Sequence, residues 1–384
     1  LALLLAACGD RPSRSPDQPN EWVSEPAFQF GDAFEGDALF GFIPSVRVSP
    51  DGRRVFVLEP YEAQVSVWTP GGRRLFEVGG AGEGPGDFML PYRIHLGDTW
   101  FYVRDQSRFT YFSYDGRVLR TVPNPPTSVG YQGFPIRVHA HFADGSFVGF
   151  PTIPASVEMG VWGDDPITTL PLVRVRETSS GWKQDPLYWQ NTRSETLLVE
   201  GGGGYHFTAQ PYSDSDIYWE DPGAGSVVVA RRTGEHLAPG ETELIEVSAP
   251  GDTVWKRRVG FDPVRLTRPM VDAAIDDWRA VVDESRLPTR EEVEKALHLP
   301  EYLPAVRTFH LTSSGHVWMQ SHERRDTLRV WYSLERGDNE SPPRRVLLPD
   351  GFELKDATDT HLWGVWKDEL DINYVMGRRL VPVA

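Results

Sequence analysis

Hydrophobic residues in this chain occur mainly in short runs separated by turn residues. Two segments align closely, "VRVSPDGRRVFVLEPYEAQVSVWTPGGRRLFEVG" from Val46 and "YRIHLGDTWFYVRDQSRFTYFSYDGRVLRTV" from Tyr92. A third copy begins at Arg137. The first turns of the three copies are 46 and 47 residues apart and begin at Asp51, Gly97 and Asp144. Four short strands repeated at this period predict the blades of a β-propeller.

The residue types within each copy also favour strands. The runs "VFVL" at 55–58 and "WFYV" at 100–103 consist of β-branched and aromatic residues bounded by turn residues. Such runs are typical of strands that neighbouring sheets cover on both faces. The run "QVSVW" at 64–68 alternates more clearly, which indicates a half-exposed strand.

Later parts of the chain repeat the pattern less regularly. Strand-like runs occupy residues 213–260 and much of the chain after residue 305, but the last unit contains only about three strands. The segment "WVSEPAFQF" at 22–30 is a spare strand near the start. Pairing it with the last blade would close the ring and protect its sheet edges. We therefore predict six blades, with five or seven left as alternatives.

One segment breaks the strand pattern. Between residues 266 and 299, apolar residues recur at helical spacing, and Thr289 followed by Glu292 is the capping box that begins a helix. The pattern predicts a small helical insertion before the fifth blade, over one mouth or one side of the ring.

A second irregular stretch covers residues 179–204 and ends in "GGGG". Its glycines predict turns, and we expect a long loop. Most tryptophans of the chain lie in predicted strands, where core packing between blades explains them. Trp182 and Trp189 fall in the expected loop and are better candidates for an exposed binding surface.

Composition limits the classes of function. The chain has 384 residues, 40% of them hydrophobic, which is enough to form a sizeable core. Its 39 basic and 55 acidic residues give a net charge of −16. Because nucleic-acid binding depends on neutralising phosphates with Lys and Arg, this charge argues against DNA or RNA as a partner.

The first residues, "LALLLAAC", form a short apolar run that ends at Cys8 and precedes the proline-rich "GDRPSRSPDQPN". The run is too short to span a bilayer and resembles the end of a secretory signal with a bacterial lipobox. We predict that residues 1–8 are a truncated lipoprotein signal peptide, that Cys8 is lipidated and that residues 9–20 are a tether. Residues 21–384 would form a single domain in the cell envelope, anchored on the periplasmic or outer-membrane side.

Residues 82–119, "GEGPGDFMLPYRIHLGDTWFYVRDQSRFTYFSYDGRVL", resemble the NHL-type repeat of six-bladed β-propellers. With the lipobox, the late insertion and the ending "GVWKDELDINYV" at 364–375, the chain is similar to a group of six-bladed β-propeller lipoproteins of bacteria. The resemblance implies an all-β fold, a six-bladed NHL-like propeller with a helical insertion before blade five. It implies no activity, because that group has no agreed biochemical function.

Motifs of common enzymes are absent from the sequence, including Gly-x-Ser-x-Gly, His-Glu-x-x-His and the Gly-Lys-Ser/Thr phosphate loop. The glycines at 79–86 precede a strand instead of a helix, so we expect a crossing between blades and not a nucleotide site. Some NHL-like enzymes hold zinc or calcium in the channel through His or carboxylate ligands. In this chain the histidines near inner strands lie at different offsets within the repeat, and they are His95, His139, His141, His206 and His310. We therefore predict no metal and no cofactor.

Four blades open with a proline followed two or three residues later by an arginine, and these arginines are Arg47, Arg93, Arg137 and Arg307. Equivalent positions of a propeller converge on its central channel. Like charges repel there unless an anion or carboxylates lie among them, and arginine binds carboxylate and phosphate bidentately. The four residues therefore form either an anion-binding site or structural braces that pair with acidic residues of neighbouring blades, such as Glu59 or Asp105.

These observations favour a lipid-anchored envelope propeller that binds a ligand or another protein, with an anion site at the channel. We expect a binding module and not an enzyme. The alternative is an NHL-like metal-dependent hydrolase or lyase with its site in the channel. The third alternative is a structural protein of the envelope that binds no small ligand.

Overall fold

A computed structural model of the chain provides the fold. The described residues are 21–31, 39–160, 166–201, 203–282 and 287–383. Cys8, the predicted signal peptide and the predicted tether lie outside them. Within the described residues, no helix is both long enough and apolar enough to cross a membrane.

The first strand, β1, covers Glu21–Phe30 and pairs only with strands from the end of the chain. Strands β2 to β5 form an antiparallel sheet and cover Val46–Val48, Val55–Glu59, Gln64–Trp68 and Arg74–Gly79. Strands β6 to β9 form a second sheet with the same order and cover Arg93–Leu96, Trp100–Arg104, Arg108–Ser113 and Val118–Pro123. These two sheets correspond to the two aligned repeats of the sequence.

The third sheet contains strands β10 to β14, which cover Gly130–Tyr131, Phe134–His141, Phe147–Pro151, Thr169–Thr178 and Gly181–Asn191. A short helix, α1 (Ala155–Glu158), lies between β12 and β13. A separate hairpin of β15 and β16 follows and covers Thr196–Gly201 and Gly204–Ala209.

The prediction of a long loop at 179–204 is therefore wrong. β14 pairs with β13 from Gly181 onward, and β15 begins only five residues after β14 ends. Strand formation here depends on pairing with β13, which outweighs the weak β-propensity of the sequence itself. Trp182 packs against Phe147, with ring centroids 6.1 Å apart, whereas Trp189 is 51% exposed.

The fourth sheet contains strands β17 to β20, which cover Ile217–Asp221, Ser226–Arg231, Glu241–Ser248 and Thr253–Gly260. Two helices follow, α2 (Arg268–Ala280) and α3 (Arg290–Ala296). Strands β21 to β24 cover Thr308–Leu311, His316–Arg325, Leu328–Glu335 and Arg344–Pro349. The last strands, β25 to β27, cover Phe352–Ala357, His361–Lys367 and Asn373–Pro382.

β1 joins the two ends of the chain. As predicted, it pairs with the last group of strands: it lies antiparallel to β27, and its first residues also pair parallel with β24. The strands β21–β24 and β25–β27 therefore merge with β1 into one eight-stranded sheet. The described chain thus has four separate four- or five-stranded sheets, one eight-stranded sheet and the two-stranded hairpin of β15 and β16, where we expected six separate blades. The arrangement is all-β and propeller-like.

Hydrophobic side chains fill the spaces between successive sheets. One cluster joins the first sheet to the end of the chain and includes Val46, Val57 and Trp363. Five further clusters join the remaining neighbours around the ring. Three of them lie between the first and second, the second and third, and the third and fourth sheets. The other two lie between the fourth sheet and β21–β23, and between β22–β24 and β25–β27. Because each sheet packs against the next and the last packs against the first, the core forms a closed ring.

The helical insertion packs away from this ring of clusters, on the hairpin of β15 and β16. Val271 and Ile275 of α2 and Val293 of α3 are buried against Leu197 and Val199 of β15. These five side chains form a separate small core, so the insertion is held by the hairpin that precedes the fourth sheet.

The predicted start of the second helix is confirmed. Thr289 is the N-cap of α3, and its hydroxyl accepts a hydrogen bond from the Glu292 amide at 3.2 Å. The Glu292 carboxylate accepts in turn from the Thr289 amide at 2.7 Å. This reciprocal pair is the capping box, which satisfies two amides that the helix itself leaves unpaired.

The glycine-rich segment between β5 and β6 is a compact loop that leads from one sheet to the next. The Gly80 amide donates to the Ala63 carbonyl at 2.9 Å, and the Phe88 amide donates to the Gly80 carbonyl at 2.9 Å. Gly79 has a φ of +103°, and a Cβ added there would lie 2.7 Å from the Ala63 oxygen and 2.5 Å from the Phe88 ring. The loop therefore requires glycine at position 79.

We expect Gly79→Ala to lower the free energy of unfolding by about 2–4 kcal/mol, because the added methyl group meets both a strained backbone and a fixed carbonyl oxygen. Urea denaturation of the purified domain measures this change. Gly71→Ala is the matched control, since nothing lies within 4 Å of its added Cβ, and we expect a change below about 0.5 kcal/mol. Equal effects of the two substitutions would contradict this explanation of the glycine-rich loop.

Candidate functional site

The inner strands of the sheets meet at the centre of the ring. Strand β2 contacts β6 and β25, while β21 contacts β17 and β25. Side chains that project from these strands therefore occupy one central channel, although their parent strands are far apart in sequence.

A buried carboxylate ties three of these chain segments together. Asp356 of β25 accepts hydrogen bonds from the backbone amides of Val48 at 2.8 Å, Ser313 at 2.9 Å and Ala357 at 2.9 Å. Arg47 Nη1 lies 3.6 Å from the same carboxylate, and the Asp356 side chain is fully buried. Charge pairing and hydrogen bonds together offset the cost of burying this carboxylate.

Arg47 is a structural brace in this arrangement. Its guanidinium also donates to the carbonyls of Ile94 at 3.4 Å and Leu311 at 3.3 Å, and it lies 5.2 Å from the centre of the Trp219 ring. Burial lowers the pKa of Arg47, although the nearby Asp356 charge opposes that shift. The donors of Arg47 are thus directed at the protein itself.

A second buried carboxylate, Glu220 of β17, pairs with Arg93 of β6. Arg93 Nη1 donates to Glu220 Oε2 at 2.7 Å, and the Glu220 side chain is fully buried. Burial alone would raise the pKa of Glu220, but the Arg93 charge and His139, whose Nδ1 lies 3.4 Å from Oε1, hold that pKa well below its usual range. Glu220 is therefore ionised at neutral pH.

Two more arginines lie beside this pair. Arg104 of β7 is the cross-strand partner of Arg93, and its guanidinium stacks 5.3 Å from the Tyr92 ring. Burial lowers the pKa of Arg104, Glu220 raises it, and the charges of Arg93 and Arg137 lower it further. Within the described part of the chain, neither Arg104 nor Arg137 has a hydrogen-bonded or ion-paired carboxylate.

These three arginines line one cavity of about 600 Å³ at the starts of the inner strands. His139, Tyr218 and Trp219 also line this cavity. Its volume falls in the range of small-molecule binding sites. Apolar and charged surfaces are both present, as recognition of an organic anion requires. We call this space the arginine cavity.

A smaller cavity of about 230 Å³ lies at the other ends of the inner strands and includes Arg47, Asp98 and Asp221 in its lining. Trp219 lines both cavities. Its ring lies 4.6 Å from the Arg93 guanidinium and packs edge-on against His310. The indole therefore lies where the two halves of the channel meet.

The structure separates the four arginines that the sequence grouped together. Arg93 and Arg137 share the arginine cavity, whereas Arg47 braces Asp356. Arg307 lines a different cavity, of about 560 Å³, between α2 and the strands β21–β23. Burial and the charges of two neighbouring arginines lower the pKa of Arg307.

Sequence reasoning missed Arg104 as a channel residue. The sequence could have predicted it from the short turn between β6 and β7. The turn at Gly97 and Asp98 places Arg104 directly opposite Arg93 on the neighbouring strand. Cross-strand partners lie on the same face of a sheet, so one channel-facing arginine predicts the direction of the other.

The proposed structural partners of the arginines have other roles. Asp105 accepts from the amides of Met89 at 2.9 Å and Leu90 at 2.6 Å, and its ion pair is with Arg108 at 3.8 Å. Glu59 accepts from the Ser66 hydroxyl at 2.5 Å. Braces do exist in the channel, but they are formed by Asp356 and Glu220.

The histidines near the channel are dispersed. His139 Nδ1 lies 2.7 Å from the Tyr218 hydroxyl, and His141 Nδ1 lies 2.6 Å from the Tyr111 hydroxyl. Burial lowers the pKa of His310 to about 3 and that of His141 to about 4, so both are neutral at neutral pH. Among the described residues, no three His, Cys, Asp or Glu side chains are close enough together to hold a metal ion.

Comparison with known proteins gives only distant structural similarities. No protein-family model matches the sequence, and no curated protein matches it. A protein of Bacteroides fragilis described as exported is 10% identical, covers 94% of this chain and 99% of its own, and has a TM-score of 0.45. A member of the DUF4221 family from Bacteroides vulgatus is 7% identical, with coverages of 95% and 98% and a TM-score of 0.46. A streptogramin B lyase is 9% identical, with coverages of 92% and 97% and a TM-score of 0.40. At these values the similarities carry no argument about function.

We expect Asp356→Ala to lower the free energy of unfolding by about 3–5 kcal/mol, because it leaves Arg47 and three backbone amides without their buried partner. Urea denaturation at neutral pH measures the loss. Glu353→Ala on the same strand is the control: Glu353 pairs with Lys355 at 2.6 Å but is 67% exposed, so its loss should cost less than about 1 kcal/mol. If both variants are equally stable, Asp356 does not hold the inner strands together.

Proposed function

We propose that the protein is a six-bladed β-propeller of the bacterial cell envelope, anchored by lipid at Cys8, that binds a small organic anion in the arginine cavity. Six blades are supported by the six hydrophobic clusters that join successive units around the ring. In this interpretation β21–β24 form the fifth blade, and β25–β27 with β1 form the sixth.

One observation carries the binding proposal: Arg104 and Arg137 line the cavity without a carboxylate partner among the described residues. Glu220 neutralises Arg93, so the positive charges of the other two remain available. Like charges in a partly buried site repel one another, and an anion between them removes that repulsion.

Arginine also defines the geometry of the ligand group. Its guanidinium presents parallel N–H donors that match the two oxygens of a carboxylate or phosphate. The Tyr92 ring holds the Arg104 guanidinium from one face, which reduces the freedom lost on binding. Two such guanidiniums at one cavity favour a carboxylated or phosphorylated small molecule over a neutral one.

We expect Arg104→Gln and Arg137→Gln each to weaken binding of an anionic probe by about 10- to 100-fold, the loss typical of a charge-assisted hydrogen bond. Citrate is the probe, and its concentration-dependent rise in melting temperature is the readout at constant ionic strength. Without citrate the two variants should melt at or above the wild-type temperature, because a repelling charge is removed. A brace would show the reverse, a lower melting temperature without citrate and an unchanged citrate response.

Arg379→Gln is the control for this experiment. Arg379 is 61% exposed and pairs with Glu25 at 2.7 Å on the outer strands, away from the cavity. Citrate should stabilise this variant as it does the wild type. A citrate response that is equal in all four proteins would refute the anion site, and stoichiometric zinc or calcium in the purified protein would favour the metal-dependent enzyme.

The lipid anchor has its own test. We expect Cys8→Ala to release the full-length protein from the membrane fraction and to abolish incorporation of labelled palmitate, because the thiol is the attachment point of the acyl chains. Cys8→Ala should leave citrate binding to the domain unchanged, because the acyl chains take no part in it. Unchanged membrane association of Cys8→Ala would contradict the anchor.

A further inference from the structure

Three residues that line the arginine cavity each have a buried polar atom with no hydrogen-bond partner among the described residues. These atoms are Gln190 Nε2, Thr192 Oγ1 and Asp216 Oδ1. The three residues are 4%, 5% and 9% exposed, so water in bulk does not solvate them. A buried polar atom without a partner costs about 1–3 kcal/mol, and three of them around one cavity indicate a place for a polar ligand group.

The backbone brings these side chains together. Gln190 is in β14 and Thr192 is the first residue after it, where the Thr192 amide still donates to the Thr168 carbonyl at 2.9 Å, so the two side chains project from the same face. The Asn191 amide between them donates to Asp216 Oδ2 at 3.1 Å, and the Asp216 amide donates back to the Asn191 carbonyl at 2.9 Å. These bonds fix Asp216 beside the pair and leave its Oδ1 free.

Three other polar or charged groups lie near these atoms. The Tyr188 hydroxyl donates to Asp216 Oδ2 at 3.2 Å. Glu195, the other carboxylate of the cavity lining, is next to the Arg232 charge. Arg232 itself donates to the Ser215 carbonyl at 2.5 Å.

The free atoms favour one kind of chemical group. Gln190 Nε2 is a donor, Asp216 Oδ1 is an acceptor, and Thr192 Oγ1 can be either. A hydroxyl group donates one hydrogen bond and accepts others, so it satisfies all three. An ammonium group would donate to Asp216 Oδ1 but could not accept a hydrogen bond from Gln190 Nε2. A methyl group would form no hydrogen bond with any of the three atoms.

We infer that this polar wall recognises hydroxyl groups and that the ligand of the cavity is a hydroxylated organic acid, such as a sugar acid. The inference rests on the proposed anion site: the arginines bind the acid group, and Gln190, Thr192 and Asp216 bind the hydroxyls. A cavity of about 600 Å³ accommodates a molecule of monosaccharide size.

Gluconate and hexanoate are the probes, because they share a carboxylate and a carbon chain but only gluconate carries hydroxyls. We expect calorimetric titration to give tighter binding of gluconate by at least about 10-fold. Thr192→Val should weaken gluconate binding by about 5- to 10-fold, the effect of one buried hydrogen bond, and leave hexanoate binding unchanged. Gln190→Met should reduce the same preference.

Thr110→Val is the matched control. Thr110 Oγ1 is likewise buried without a partner among the described residues, but it lies on β8 and does not line the arginine cavity. Neither threonine substitution should lower the melting temperature without ligand, because each replaces an unsatisfied hydroxyl with a methyl group. Only Thr192→Val should change the preference for gluconate.

Two results separate this inference from the anion site itself. If gluconate and hexanoate bind equally and both require Arg104, the anion site stands and the hydroxyl wall is refuted. The wall is equally refuted if Thr192→Val and Thr110→Val keep the full preference for gluconate. If neither gluconate, hexanoate nor citrate binds, the anion site fails and the hydroxyl inference fails with it.

Discussion

The Asp356 carboxylate lies where the first, fifth and last groups of strands meet, and two of its three amide donors come from other groups. The Ala357 amide is local to β25, whereas the amides of Val48 and Ser313 are 308 and 43 residues away from Asp356 in sequence. An unpaired buried carboxylate would cost several kcal/mol. Full satisfaction of this charge therefore requires β2 to lie beside β25, and Arg47 is committed to the pair.

The ion pairs of the channel determine which arginine side chains remain available to a ligand. Arg47 neutralises Asp356, and Arg93 neutralises the fully buried Glu220. Arg104 and Arg137 have no comparable partner among the described residues, although the carboxylates of Glu195 and Asp216 line the same cavity. Because two arginines are used as structural braces, only the other two remain for the proposed anion. The Trp219 ring lies 5.2 Å from the Arg47 guanidinium and 4.6 Å from the Arg93 guanidinium. It therefore lies between the Asp356 ion pair and the arginine cavity.

Local patterns predicted the fold where each repeat is regular. The repeats that begin at Val46 and Tyr92 gave correct sheets because alternation and tight turns are local signals. The capping box at Thr289 was correct for the same reason. Strand β14 was missed because its strand state depends on pairing with β13. The merging of the last two groups through β1 was missed because the parallel pairing of Glu21 with Arg345 connects distant residues and has no local signal.

The channel arginines show how equivalent residues of a repeat acquire different roles. Arg93 and Arg137 lie two residues after their prolines, and both line the arginine cavity. Arg47 and Arg307 lie three residues after theirs, and neither lines that cavity. The spacing from the proline is not a change of face, however, because Arg47 and Arg93 are 46 residues apart, like the turns that follow them, and both guanidiniums lie beside the Trp219 ring. Their partners separate them: Arg47 pairs with Asp356 of β25, whereas Arg93 pairs with Glu220 of β17. Equivalent residues of a repeat therefore share a site only when the neighbouring strands offer them equivalent partners.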